Sequence, residues 1–159
     1  MTVPKISSRA KVIGTIGRTT NFGYGLTRSG YKQFVNNKKY PEVLKAIVEF
    51  GKRVVPKGYF YNAITLNHGV KAKKHIDGHN IGNSIIVGLG DYTGGEVIVY
   101  DDDDKPTNYN VNMKPLMFNG AKYYHATTPF KGDRYTLIFF RHDETETPIK
   151  GYEGQTTGI

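Results

Sequence analysis

Residues 84–100 read SIIVGLGDYTGGEVIVY: two short runs rich in β-branched residues, SIIVGLG (84–90) and EVIVY (96–100), with the pair Gly94 and Gly95 between them. Neither run has helical periodicity, and the glycines supply a turn, so the stretch reads as two strands. Runs of the same kind lie on both sides: FYNAITL (60–66) before it, and YNVNM (109–113), PLMF (115–118) and RYTLIFF (134–140) after it. Closely spaced strands with no helical pattern between them predict an antiparallel sandwich or barrel of the jelly-roll type, a double-stranded β-helix. Toward the N-terminus the texture changes. Tyr40, Pro41 and Glu42 form a helix start, with Pro in the first turn and a carboxylate at the positive end of the helix dipole. Val43, Leu44, Ile47 and Val48 then recur at helical spacing, predicting a helix over 41–52. A second, weaker helix is predicted over 29–37, SGYKQFVNN. The expected fold class is therefore α+β, mostly β, with a jelly-roll core and one or two supporting N-terminal helices.

At 159 residues the chain has the size of one domain. It divides into a basic segment carrying the helix (1–58), the jelly-roll core (59–142) and an irregular tail (143–159). Charge is spread unevenly: residues 1–58 hold twelve Lys and Arg against Glu42 and Glu49, a net of +10, so the rest carries −2 of the overall +8. A basic first third beside a near-neutral remainder fits a surface for a polyanion such as nucleic acid, or else a solvated basic face. No apolar run has the length of a membrane span, and the opening residues lack the apolar core of a signal peptide, so a soluble, intracellular protein is expected, cytoplasmic or nuclear. Nothing points to a protein partner. Asp101–Asp104, followed by Lys105 and Pro106, read as a solvated hairpin tip.

Without a single cysteine, disulfides, thiolate metal sites and cysteine nucleophiles are excluded, and only His and carboxylate remain as strong metal ligands. In KKHIDGHN, His75 and Asp77 stand two apart, which on an extended segment puts both side chains on one face. His125, in KYYHATTP, is a third ligand candidate. Two imidazoles and one carboxylate form the facial set that leaves open positions on Fe(II) for a bidentate co-substrate and O2. Arg134 follows His125 by nine residues and opens an apolar strand, where an unpaired charge is costly. It suits the distal carboxylate of 2-oxoglutarate, which needs a fixed, fork-shaped cation, and Thr136 on the same strand face can add a hydroxyl. The structural alternative for Arg134 is a salt bridge to Asp133 or another carboxylate. Asn67 receives no role, and Gly94 with Gly95 only an architectural one.

Over roughly residues 60–142 the sequence resembles the TET methylcytosine dioxygenases and the thymine hydroxylases of base J synthesis. HIDGHN (75–80) with Asn83 and Ser84, HATTP (125–129) and RYTLIFFRH (134–142) carry the likeness. The resemblance implies Fe(II) on His75, Asp77 and His125, with 2-oxoglutarate held by Arg134 and Thr136 where the family usually has Arg-X-Ser. It implies Phe140 stacking on a flipped base, with Asn80 and His142 hydrogen-bonding its edge. Arg18 and Asn21, in GRTTNFGYG, are further candidates for the oxoglutarate and base pockets. The implied partner is DNA containing 5-methylcytosine, and the implied reaction consumes O2 and gives 5-hydroxymethylcytosine or a further oxidised base. The chain departs from animal TET proteins in lacking a cysteine-rich region and its zinc sites, and resembles compact microbial and viral forms. The same chemistry on thymine, methylated RNA or a prolyl peptide is the alternative, followed by a non-catalytic nucleic-acid-binding module.

Overall fold

The computed structural model describes residues 16–142 and 146–154. Residues 1–15 of the basic segment, and residues 143–145 and 155–159 of the expected tail, lie outside the described residues. Among the described residues, nine strands and two helices follow in order: β1 (Ile16–Thr27), β2 (Gly30–Gln33), α1 (Asn36–Lys39), α2 (Pro41–Val54), β3 (Ala63–Lys71), β4 (Ile81–Gly94), β5 (Val97–Tyr100), β6 (Pro106–Tyr109), β7 (Leu116–Phe118), β8 (His125–Thr127) and β9 (Phe130–Arg141). They form two antiparallel sheets, one of six strands in the order β2-β1-β3-β9-β4-β7 and one of three in the order β6-β5-β8. No described helix is long and apolar enough to cross a membrane.

Strand alternation divides the six-stranded sheet into two different faces. Phe22, Ile64, Leu66, Ile85, Val87, Leu137 and Phe139 bury one face against Leu44, Ile47 and Val48 of α2. The β3–β9 register sets Leu66 opposite Leu137 and Ile64 opposite Phe139, and β4 puts Val87 and Ile85 opposite the same two residues. Phe139 is fully buried, which stabilises the fold by roughly 1.5–3 kcal/mol relative to exposure. The opposite face looks toward the small sheet. There Ile86, Val97 and Val111 form a second core, flanked by Val99, Leu116, Phe118 and Ile138.

Two expectations require correction. The helix predicted over 29–37 is replaced by β2 and the single turn α1, because Leu26 pairs with Tyr31 and Tyr24 with Gln33 in a hairpin that local propensity does not reveal. YNVNM (109–113) is no strand beyond Tyr109. Asn112 N–H donates to Asn110 Oδ1 at 3.0 Å and Met113 has φ of 55°, so the chain turns while Val111 is buried. The described part of the tail is irregular yet anchored: Ile149 is fully buried in the main core, and Asn62 Nδ2 donates to the Thr147 carbonyl at 3.0 Å. The Asp101–Asp104 run does lie in the β5–β6 hairpin loop, where Asp101 Oδ1 accepts from the Asp103 and Lys105 amides.

Candidate functional site

A cavity of about 330 Å³ opens between the sheets. Its wall on β9 is made by the even-numbered residues Arg134, Thr136, Ile138 and Phe140, continued by His142 just after the strand, the face turned away from the α2 core. Their odd-numbered neighbours Leu137 and Phe139 fill that core.

His75, Asp77 and His125 also line the cavity, each offering a ligand atom within 4.8 Å of the others. His125 starts β8 and His75 pairs with it, each amide donating to the other's carbonyl at 2.9–3.0 Å. The extended pairing ends there. Asp77 owes its position to its amide, which donates to the Gly120 carbonyl at 2.9 Å, and to the turn closed by Asn80 N–H on its own carbonyl. His75 and Asp77, two residues apart, both line the cavity, and these bonds fix the second of them there. The ring Nδ1 of His75 donates to the Lys73 carbonyl at 2.7 Å and that of His125 to the Tyr123 carbonyl at 2.9 Å. Both rings therefore present Nε2 to the Asp77 carboxylate, 3.6 Å from Oδ1 and 3.1 Å from Oδ2 respectively. Adjacent ligands about 2.1 Å from one ion lie about 3 Å apart, so these three groups fit a divalent metal, with the carbonyl bonds fixing tautomer and orientation.

Arg134 is 3% exposed. Its Nη2 donates to the Gly95 carbonyl at 2.9 Å and its Nη1 to the Val70 carbonyl at 3.4 Å, while Nε has no partner. The rings of Phe130 and Tyr92 lie 5.3 and 5.5 Å from its guanidinium carbon. Burial lowers its pKa, and the Tyr92 phenol acts in the opposite sense. No described carboxylate pairs with it, and Asp133 is bonded instead to His68 Nε2 at 2.6 Å. A buried guanidinium held only by carbonyls and rings matches a ligand carboxylate. Gly95 makes this placement possible: it has φ of +64°, and a Cβ there would lie 2.6 Å from Arg134 Nε and 2.8 Å from Cδ. The pair Gly94 and Gly95 therefore has a role beyond the turn.

Beside Arg134, Thr19 Oγ1 donates to Asn67 Oδ1 at 2.8 Å and Asn67 Nδ2 donates to Thr136 Oγ1 at 3.3 Å. With its oxygen accepting from Asn67, Thr136 has its hydroxyl proton left for a ligand. Thr19 was missed as a cavity residue and Asn67 was given no role, although the apolar alternation of Ile64 and Leu66 already assigns Asn67 to the other face of β3. At the other end of the site, Asn21, Asn80, Phe140 and His142 line the same cavity. The Leu26 amide donates to His142 Nδ1 at 3.1 Å, which leaves the proton of the neutral ring on Nε2. Thr65 Oγ1 donates to Asn21 Oδ1 at 2.8 Å, orienting that amide. Arg18 is not brought to the cavity. On β1, Thr19 and Asn21 face inward, whereas the exposed Arg18 alternates with them and shares the side of Phe22.

No family model and no curated protein matches the sequence. Solved structures do. An oxidoreductase of the 2OG-Fe(II) oxygenase family from Burkholderia pseudomallei superposes with a TM-score of 0.54 at 15% identity, covering 86% of this chain and 71% of that one. NgTET1, solved in complex with 5mC DNA, gives 0.59 at 18% identity over 88% and 67% of the two chains. OsALKBH1 gives 0.51 at 18% identity over 80% of each. The chain has the fold seen in these oxygenases, and its His-Asp-His group lies in the cavity between the sheets.

Proposed function

We propose that this chain is an Fe(II)- and 2-oxoglutarate-dependent dioxygenase with a double-stranded β-helix core, acting on the methyl group of 5-methylcytosine in DNA. One observation carries the reading: the cavity lined by His75, Asp77 and His125 is also lined by Arg134, a buried cation with no carboxylate of its own. His75 and His125 bind iron through Nε2, and Asp77 through its carboxylate. Arg134 takes the distal carboxylate of oxoglutarate and Thr136 adds its hydroxyl, held in position by Asn67 and Thr19. With iron, oxoglutarate and O2 bound, the site supplies the oxidant that turns a methyl C–H into C–OH while oxoglutarate becomes succinate and CO2.

At the other end, Phe140 offers an aromatic face to a base, and His142 Nε2–H and the Asn21 amide are hydrogen-bond donors. Two donors suit the adjacent acceptors N3 and O2 of cytosine, whereas thymine carries a proton on N3, which would face one donor with another. Asn80 reads the remaining edge. A base inside a duplex cannot enter such a cavity without being flipped out of the stack.

Mass spectrometry of nucleosides tests this after incubation of methylated DNA with protein, Fe(II), oxoglutarate and ascorbate. Hydroxymethylcytosine is expected, with its yield cut by Asn80→Ala and His142→Ala. Hydroxymethyluracil in its place would move the substrate to thymine, and neither product together with no oxoglutarate consumption would overturn the oxygenase reading.

A further inference from the structure

The hairpin formed by β1 and β2 leaves two large apolar side chains in solvent at the edge of the cavity: Leu26 is 40% exposed and Tyr31 42%. They are cross-strand partners. Leu26 lines the cavity mouth, as does Phe34 just after β2. The Tyr31 ring meets His142 edge-on at 5.9 Å and stacks on Tyr24 at 6.2 Å. It is therefore held upright between a cavity residue and a second aromatic. A Cβ on Gly25 would collide with His142 Nδ1 and come within 2.8 Å of the Phe34 ring, so the strand lies directly against the mouth.

The stretch of chain that carries this patch has charge of one sign. Residues 16–41 contain Arg18, Arg28, Lys32, Lys38 and Lys39 and no Asp or Glu. Arg28 occupies the hairpin tip, which Thr27 Oγ1 braces by donating to the Gly30 carbonyl at 2.7 Å. Lys32 is exposed beside Tyr31. Helix α1, carrying Lys38 and Lys39, is tied to β1 by Asn37 Nδ2 donating to the Gly23 carbonyl at 3.0 Å. An exposed ring among cations, with no anion nearby in the sequence, is complementary to a single nucleic-acid strand: a base for the ring and phosphates for the charges.

We infer that the hairpin 24–33 grips the strand that delivers the target base, with Tyr31 stacking on a neighbouring base and Arg28 and Lys32 on flanking phosphates. This rests on the nucleic-acid reading of the cavity, but binding can be measured without the chemistry. Fluorescence anisotropy of a short labelled single-stranded DNA, with protein free of iron and oxoglutarate, tests it. Stacking of one base on one ring predicts that Tyr31→Ala weakens binding about tenfold, while Tyr31→Phe keeps it. Removing both cations in Arg28→Ala/Lys32→Ala lowers the slope of log K against log salt by about 1.4, at about 0.7 per phosphate. On an otherwise identical abasic strand, Tyr31→Ala has no effect. Wild-type affinity in Tyr31→Ala, equal weakening on the abasic strand, or equal loss in Tyr31→Phe would each overturn the proposal. Tyr31-dependent binding by a protein that oxidises no base would uphold the surface and reject a base as the substrate of the site.

Discussion

Replacing Gly95 with Ala tests the seat of the proposed carboxylate clamp. The added Cβ would stand 2.6 Å from Arg134 Nε, 2.8 Å from Cδ and 3.2 Å from Phe130 Cβ, and the guanidinium is wedged between the Phe130 and Tyr92 rings. It cannot yield without abandoning the Nη2 bond to the Gly95 carbonyl. A hydrogen bond to a charged group is worth about 1.5–3 kcal/mol, so misdirecting the clamp weakens oxoglutarate binding by about 10- to 100-fold. The left-handed backbone at φ +64° costs about 1–2 kcal/mol of stability separately, a Tm decrease of about 2–8 °C. Gly58→Ala separates the two effects: its φ is +89° and a Cβ there meets nothing within 4 Å, so it loses stability alone. Titration calorimetry of oxoglutarate into Mn(II)-loaded protein reads affinity, and a melting curve reads stability. Wild-type oxoglutarate affinity in Gly95→Ala, or an equal affinity loss in Gly58→Ala, would refute the clamp.

Three further outcomes are expected. Mn(II) at a hundredfold excess over its Kd stabilises the wild type by about 2.7 kcal/mol, and Asp77→Ala abolishes the accompanying rise in Tm; a rise that persists would place the metal elsewhere. Burial pushes the Tyr61 phenol up to about 12 from its ordinary 10.0. Because its folded-state pKa is raised, stability is intact below pH 10 and is lost between about pH 10 and 12 at about 1.4 kcal/mol per pH unit. Denaturant titrations across that window should show a shallower loss for Tyr61→Phe, and an unchanged slope would mean that Tyr61 does not titrate there. Ile149→Ala, emptying a fully buried site, costs about 2–5 kcal/mol by the same titrations, whereas a loose tail would give no change.

The parts of the fold visible in the sequence were those whose signal is local and periodic. The helix at Pro41 and the strand RYTLIFF each carry their own pattern, and that strand separates two faces by parity alone. The hairpin 24–33 was hidden because SGYKQFVNN has neither pattern strongly, and its conformation is decided by pairing with Tyr24 and Leu26. The spacing of His75 and Asp77 was legible, but the hydrogen bond from the Asp77 amide to Gly120, 43 residues away, was not. The anchoring of Ile149 was invisible because an isolated apolar residue among Pro, Lys and Gly gives no periodicity to read.

The two sheets are held together unequally. The α2 side of the large sheet buries twelve residues in one cluster, whereas the small sheet meets the large one through Ile86, Val97 and Val111 and a few partly buried neighbours. The candidate metal ligands span this weaker seam: His125 belongs to β8 of the small sheet, His75 and Asp77 to the segment leading into β4 of the large one, and Arg134 stands on β9. A hydrophobic core sufficient to close the seam would have to fill the cavity between the sheets. Ligand bonds and paired backbone amides at His75 and His125 can join the sheets at one point and leave the rest open. In this architecture a metal bound by the candidate ligands would also fasten the sheets together, and the cavity is the space that the missing core would otherwise occupy.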